Sequence, residues 1–156
     1  MIAIDDPRRE EVRELLARHL AFARATTLPE DVYALDVDGL VDPAVTFFSY
    51  RGPDGRVLGV AALKRLDEQH AEIKSMHTAE EARGKGVGRA LVDHLVAVAR
   101  ERGYRRVSLE TGAGPAFAPA RRLYASAGFT ACGAFGDYRP SANSAYMTLA
   151  LEHTFV

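Results

Sequence analysis

The chain has 156 residues, 47% of them hydrophobic and 26% charged, with a formal net charge of -1. This describes one globular domain over residues 1–156, large enough to bury roughly two thirds of its unfolded surface. Near-neutrality argues against nucleic acid as a partner, and no apolar run approaches the ~20 residues of a membrane span. The first residues lack a basic region followed by an apolar core, so a cytoplasmic location is expected. The single cysteine, Cys132, forbids an intrachain disulfide and a cysteine zinc cluster, and no metal is expected.

In chain order, Pro7 and residues 8–24 predict a first helix, with Val12, Leu15, Leu16, His19 and Leu20 on its inner side. Pro29-Glu30-Asp31 suits a helix start, so a short second helix is expected near 29–41. Residues 45–51 read as a strand, Gly52-Pro53-Asp54-Gly55 as a turn, and 57–63 as the partner strand of a hairpin. A central strand over 71–78 places Glu72, Lys74, Met76 and Thr78 on one face, with Ile73, Ser75 and His77 on the other. A glycine-rich turn then opens a helix ending near Gly103. Beyond it come a strand at 106–110, a helix at 115–127, a short strand at 129–134 and a terminal strand at 144–151. Hairpins first, then alternating strands and helices, give an α+β or mixed α/β sheet.

The glycine turn is Arg83-Gly84-Lys85-Gly86-Val87-Gly88, followed by Arg89 and helical spacing of apolar residues at 87, 91, 95 and 98. Backbone without Cβ hindrance, entering a helix N-terminus beside Arg83 and Lys85, makes a cradle for a phosphate-bearing ligand. A magnesium–nucleotide loop would need Ser or Thr after the lysine, where Gly86 stands. A dinucleotide fingerprint would need a different glycine spacing and a position at the first strand. A plain surface turn with solvated charges is the remaining alternative.

Arg83-x-x-Gly86-x-Gly88 resembles the acyl-CoA pyrophosphate loop of the GNAT superfamily of N-acetyltransferases, and Leu123-Tyr124-Ala125-Ser126-Ala127-Gly128-Phe129 resembles its second signature segment. The resemblance covers residues 56–151, with the N-terminal helices fitting the usual opening. Residues 71–78, 108–112 and 133–138 look like one branch of small stand-alone enzymes. The family implies a twisted, mostly antiparallel sheet of six to seven strands flanked by about four helices. Its central strands, near 71–78 and 105–110, would splay apart around the pantetheine arm of acetyl-CoA. Met76, His77 and Thr78 would then meet that arm, and residues 84–89 the pyrophosphate.

The resemblance also implies direct attack of a neutral amine on the thioester, with no covalent enzyme intermediate. Cys132 fits this as a small apolar residue, since a nucleophilic thiol would want a paired base. Tyr124 matches the tyrosine that protonates the departing thiolate in many members; its alternative role is core packing. Phe117 departs from the pattern, standing where many members carry an asparagine that touches the cofactor arm. For the base, Glu72 ranks first, then Glu110, then His77, with an ordered water chain as the other option. Glu72 also has the bland reading of pairing with Lys74, and Glu110 of capping a loop. The acceptor pocket should draw on residues 24–40, 112–118 and 135–146, with Tyr33, Lys74, Tyr138, Arg139 and Tyr146 as its polar groups. A small primary amine is the expected acceptor, and the family suggests a homodimer through terminal strands. A non-catalytic acyl-CoA sensor and a protein N-terminal acetyltransferase are the competing readings.

Overall fold

A computed structural model describes residues 1–26 and 37–151. Seven strands form one sheet: β1 (Ile2–Ile4), β2 (Val45–Arg51), β3 (Val57–Arg65), β4 (His70–Thr78), β5 (Arg106–Gly112), β6 (Thr130–Cys132) and β7 (Ser144–Ala150). Their order is β1-β2-β3-β4-β5-β7-β6, and every pairing is antiparallel except β4 with β5. Parallel neighbours need a long crossover. Here it contains α3 (Val87–Glu101), which packs on β3 and β4. The other helices are α1 (Glu10–Thr26), α2 (Val37–Leu40) and α4 (Ala118–Ser126).

α1 and α3 cover opposite faces of the sheet. From α1 come Val12, Leu15 and Leu16 of the expected inner side, all buried. From α3 come Val87, Leu91, Val92 and Leu95. The glycine at position 103 has φ +82° just past α3, as expected of a helix stop. The strand β1 escaped the sequence reading because three residues give no alternation to detect. It pairs with β2, and the Met1 amino group donates to the Arg51 carbonyl at 2.8 Å. The second helix is described over Val37–Leu40, with Val41 in the turn that follows; residues 29–36 of the segment expected to form it lie outside the described residues.

The expected alternation along β4 fails at its centre. Lys74 pairs with Ala62 but His77 pairs with Val60, so Ser75 and Met76 together oppose Ala61. This bulge reverses the faces beyond it. His77 therefore shares the α1 face with Glu72 and Lys74, and Thr78 joins Ile73 on the α3 face. Ser75 has φ +55°, the left-handed region where a Cβ is strained by about 1–2 kcal/mol. Its hydroxyl is buried without a partner among the described residues. Ser75→Gly is expected to raise stability by roughly 0.5–1 kcal/mol, read from the urea midpoint. A lowered midpoint would show that the serine's packing outweighs its strain.

Candidate active site

The pairing of β4 with β5 runs only from His70↔Arg106 to Ile73↔Leu109. Beyond it the two strands part, and a cleft of about 570 Å³ opens between them. That volume suits a small-ligand site. Met76, His77 and Thr78 line one wall and Glu110, Thr111 and Gly112 the other. The splay follows from chemistry on β4: the bulge bends the strand away from its neighbour just where pairing ends.

At one end of the cleft lies the glycine turn. Gly84 and Gly86 have φ +78° and +83°, and Gly86 is the N-cap of α3. The first amide of that end with an acceptor is Ala90, which donates to Gly86 O at 3.0 Å. Among the described residues, the amides of positions 84–89 donate to no protein acceptor. A row of unpartnered donors at a helix N-terminus is a site for an anion. The side chains of Arg83 and Lys85 are exposed beside it and form no ion pair among the described residues. Arg83 lines the cleft; Lys85 lies outside its lining. The guanidinium of Arg89 is committed to Asp93 at 2.9 Å and to the Ser126 carbonyl at 3.1 Å, so Arg89 offers its amide rather than its charge.

Tyr124 reaches the cleft from α4 and is 6% exposed. Burial, and secondarily the charge of Glu110, holds its phenol well above the usual tyrosine range. The charge of Glu110 disfavours ionisation of Tyr138 as well. Phe117 lies against the Cα of Gly112, where a Cβ would come within 2.1 Å of its ring. The same ring meets Phe22 of α1 at 5.2 Å, so an aromatic pair borders the cleft where an asparagine was absent.

On the α1 face, Glu72 is buried at 3% exposure, with Lys74 Nζ 3.3 Å from its Oε2. Tyr138 donates its hydroxyl hydrogen to the same oxygen and accepts from Lys74 Nζ at 2.8 Å. The simple pairing of Glu72 with Lys74 is thus present, but with a third member that no spacing rule in β4 could supply.

Residues 9–129 match the acetyltransferase (GNAT) family. The chain belongs to this family. It is 42% identical over 150 residues to the uncharacterised N-acetyltransferase YsnE of Bacillus subtilis, covering 96% of this chain and 99% of that one. A Klebsiella pneumoniae structure classed with the acyl-CoA N-acyltransferases superposes with a TM-score of 0.79 at 28% identity, covering 97% of each chain. A Bacillus subtilis acetyltransferase solved in complex with CoA shares the fold, with a TM-score of 0.73 at 20% identity over 97% of this chain and 98% of the other. The protein is a GNAT acyltransferase, and its open seven-stranded α+β sheet is the family's fold.

Within this GNAT fold the remaining expected residues scatter. Tyr146 is buried, but its hydroxyl donates to the Arg139 carbonyl at 2.7 Å, and β7 stands one strand beyond the splay. Arg139 is exposed on the loop, and neither residue lines the cleft. Tyr146 instead backs Tyr138, ring to ring at 5.7 Å. Tyr33 lies outside the described residues. Cys132 sits on the edge strand β6, its thiol raised by burial. No group of three or more metal-ligating side chains, and no helix long and apolar enough to cross a membrane, occurs among the described residues.

His77 does face the cleft, paired with His19 of α1 at 3.3 Å between Nδ1 atoms. His19 was legible only as an inner residue of its helix; one turn further, Phe22 joins it in the wall. Burial lowers both histidines to about 4, with the two imidazoles also disfavouring each other's charge at His77. At neutral pH both are uncharged. The unfolded chain takes up these protons near pH 6.5, the folded one only near 4, so stability is full above pH 6.5 and falls as pH drops through that window. A loss of roughly 4 kcal/mol, about 2 kcal/mol for each histidine, is expected between pH 7 and pH 5. Urea unfolding at the two pH values measures it, and replacing both histidines with glutamine should flatten the profile.

Proposed function

We propose that the protein transfers an acetyl group from acetyl-CoA to a primary amine of a small molecule, by direct attack within a ternary complex. One observation carries this reading: the gap between β4 and β5 joins unpartnered amides at one end to a buried phenol and two carboxylates at the other. The amides of 84–89, with Arg83 and Lys85, suit the donor's pyrophosphate. The exposed backbone of Met76 and Thr78 beyond the last β4–β5 pair suits the amides of its pantetheine arm. Glu72 and Glu110 supply negative potential where an ammonium must lose its proton before attack. Tyr124 supplies a proton to the leaving thiolate. The chain's only thiol, in β6, is not needed.

Release of free thiol from acetyl-CoA, followed with a panel of primary amines, tests this. Amine-dependent release is expected. Tight coenzyme A binding without release on any amine would instead make the protein a binding module, and transfer to peptides alone would make it a protein N-terminal acetyltransferase.

A further inference from the structure

The charged cluster on the α1 wall of the cleft is organised by one hydroxyl. Glu72 Oε2 is engaged by both Lys74 and Tyr138, and the carboxylate is almost wholly covered. Tyr138 comes from the loop between β6 and β7 and also lines the cleft. Its ring is fixed by Phe135 at 5.1 Å and by Tyr146 at 5.7 Å, so the hydroxyl's position over Glu72 is built by the fold.

We propose that Tyr138 relays the acceptor's proton to Glu72. The inference rests on reading the cleft as an amine acetylation site. One N–H bond of the acceptor ammonium breaks as the proton passes to the phenolic oxygen, and the phenol's own hydrogen passes to Glu72 Oε2. The nitrogen keeps its lone pair for attack, the phenol is restored, and the carboxylate ends neutral until it returns the proton to water. Lys74, 2.8 Å from the phenolic oxygen, steadies negative charge on it during the exchange.

Three features favour a relay over direct contact. The Oε2 atom of Glu72 already holds two donors, so a proton reaches that oxygen by way of one of them. The phenol is kept fully protonated, because burial and then the charges of Glu72 and Glu110 raise it. The hydroxyl also has the required geometry, bonded to Glu72 on one side while its residue borders the cleft on the other. The groups facing Glu72 are Lys64 opposite it on β3, His70 and Lys74 on β4, Ser108 beside it on β5, and Tyr138 on the loop; Glu110 and Tyr146 act on the relay through Tyr138.

Tyr138→Phe keeps the ring contacts and removes only the hydroxyl. The expected result is a fall in kcat of at least tenfold with acetyl-CoA affinity within twofold of the parent. The fall should largely disappear for an acceptor amine that is already neutral at the assay pH, because it has no ammonium proton to relay. A purely structural role for the hydroxyl would slow both kinds of acceptor alike. An unchanged kcat overturns the assignment, and so does an equal loss on both kinds of acceptor. If the parent binds acetyl-CoA yet acetylates no amine, the proposed function falls, and the relay with it.

Discussion

Gly86→Val is expected to weaken coenzyme A binding at least tenfold while leaving Tm within a few degrees of the parent. Gly86 holds φ +83° at the N-cap of α3, and no atom lies within 4 Å of where its Cβ would sit. The fold itself is therefore not crowded by the new side chain. What changes is the turn: a β-branched residue strains the left-handed region by about 1–2 kcal/mol, and relaxing it rotates the amides that converge on the anion. About 1.4 kcal/mol is already a factor of ten in affinity, before counting the isopropyl group in the path of the ligand. Gly133→Val is the control. It too has open space around its Cβ, without a positive φ, and lies away from the turn. Titration calorimetry with coenzyme A on both variants separates the cases. Equal affinity of Gly86→Val and parent would remove the pyrophosphate from this loop.

The geometry of the glycine turn was readable in the sequence because positive φ at Gly84 and Gly86 is a backbone property, written in the residues that permit it. Elements with strong periodicity were equally plain: β2, β3, α3 and β7 lie within a residue or two of their expected bounds. The acceptor side was not, for a physical reason. Which face of β4 each residue takes depends on the bulge at Ser75 and Met76, and a serine in the left-handed region announces nothing in advance. Strict alternation therefore put His77 on the wrong face and hid its contact with His19. Likewise Glu72 and Lys74 could be paired from their spacing, but Tyr138 arrives from a loop 64 residues after Lys74. Tyr146 and Arg139 belong to the same polar segment as Tyr138; the place of β7 in the strand order keeps Tyr146 from the cleft, and Arg139 stands exposed on the loop. Local chemistry reads out of sequence; the meeting of distant segments on one wall does not.

Tyr124→Phe is expected to lower kcat by roughly a hundredfold, within the range that general acids contribute, with acetyl-CoA affinity unchanged. The substitution is structurally clean. Among the described residues the phenolic oxygen makes no hydrogen bond, so its removal orphans no buried partner. The edge-to-face contact of the ring with Phe129 at 5.9 Å survives in phenylalanine, so Tm should hold. A phenol raised by burial gives up its proton reluctantly, and on that ground alone would be a poor acid. The same desolvation raises the thiolate that must receive the proton, so the two remain matched as they would not be if only one were buried. Glu110 works against ionisation of Tyr124 and keeps the phenol charged with its proton until a thiolate appears. Loss of an interaction made only in the transition state lowers kcat and kcat/KM together. A parallel fall in both, with coenzyme A binding preserved by calorimetry, assigns the acid role to Tyr124. A variant with the parent's kcat would return this tyrosine to the core of α4 and leave the thiolate to be protonated by water.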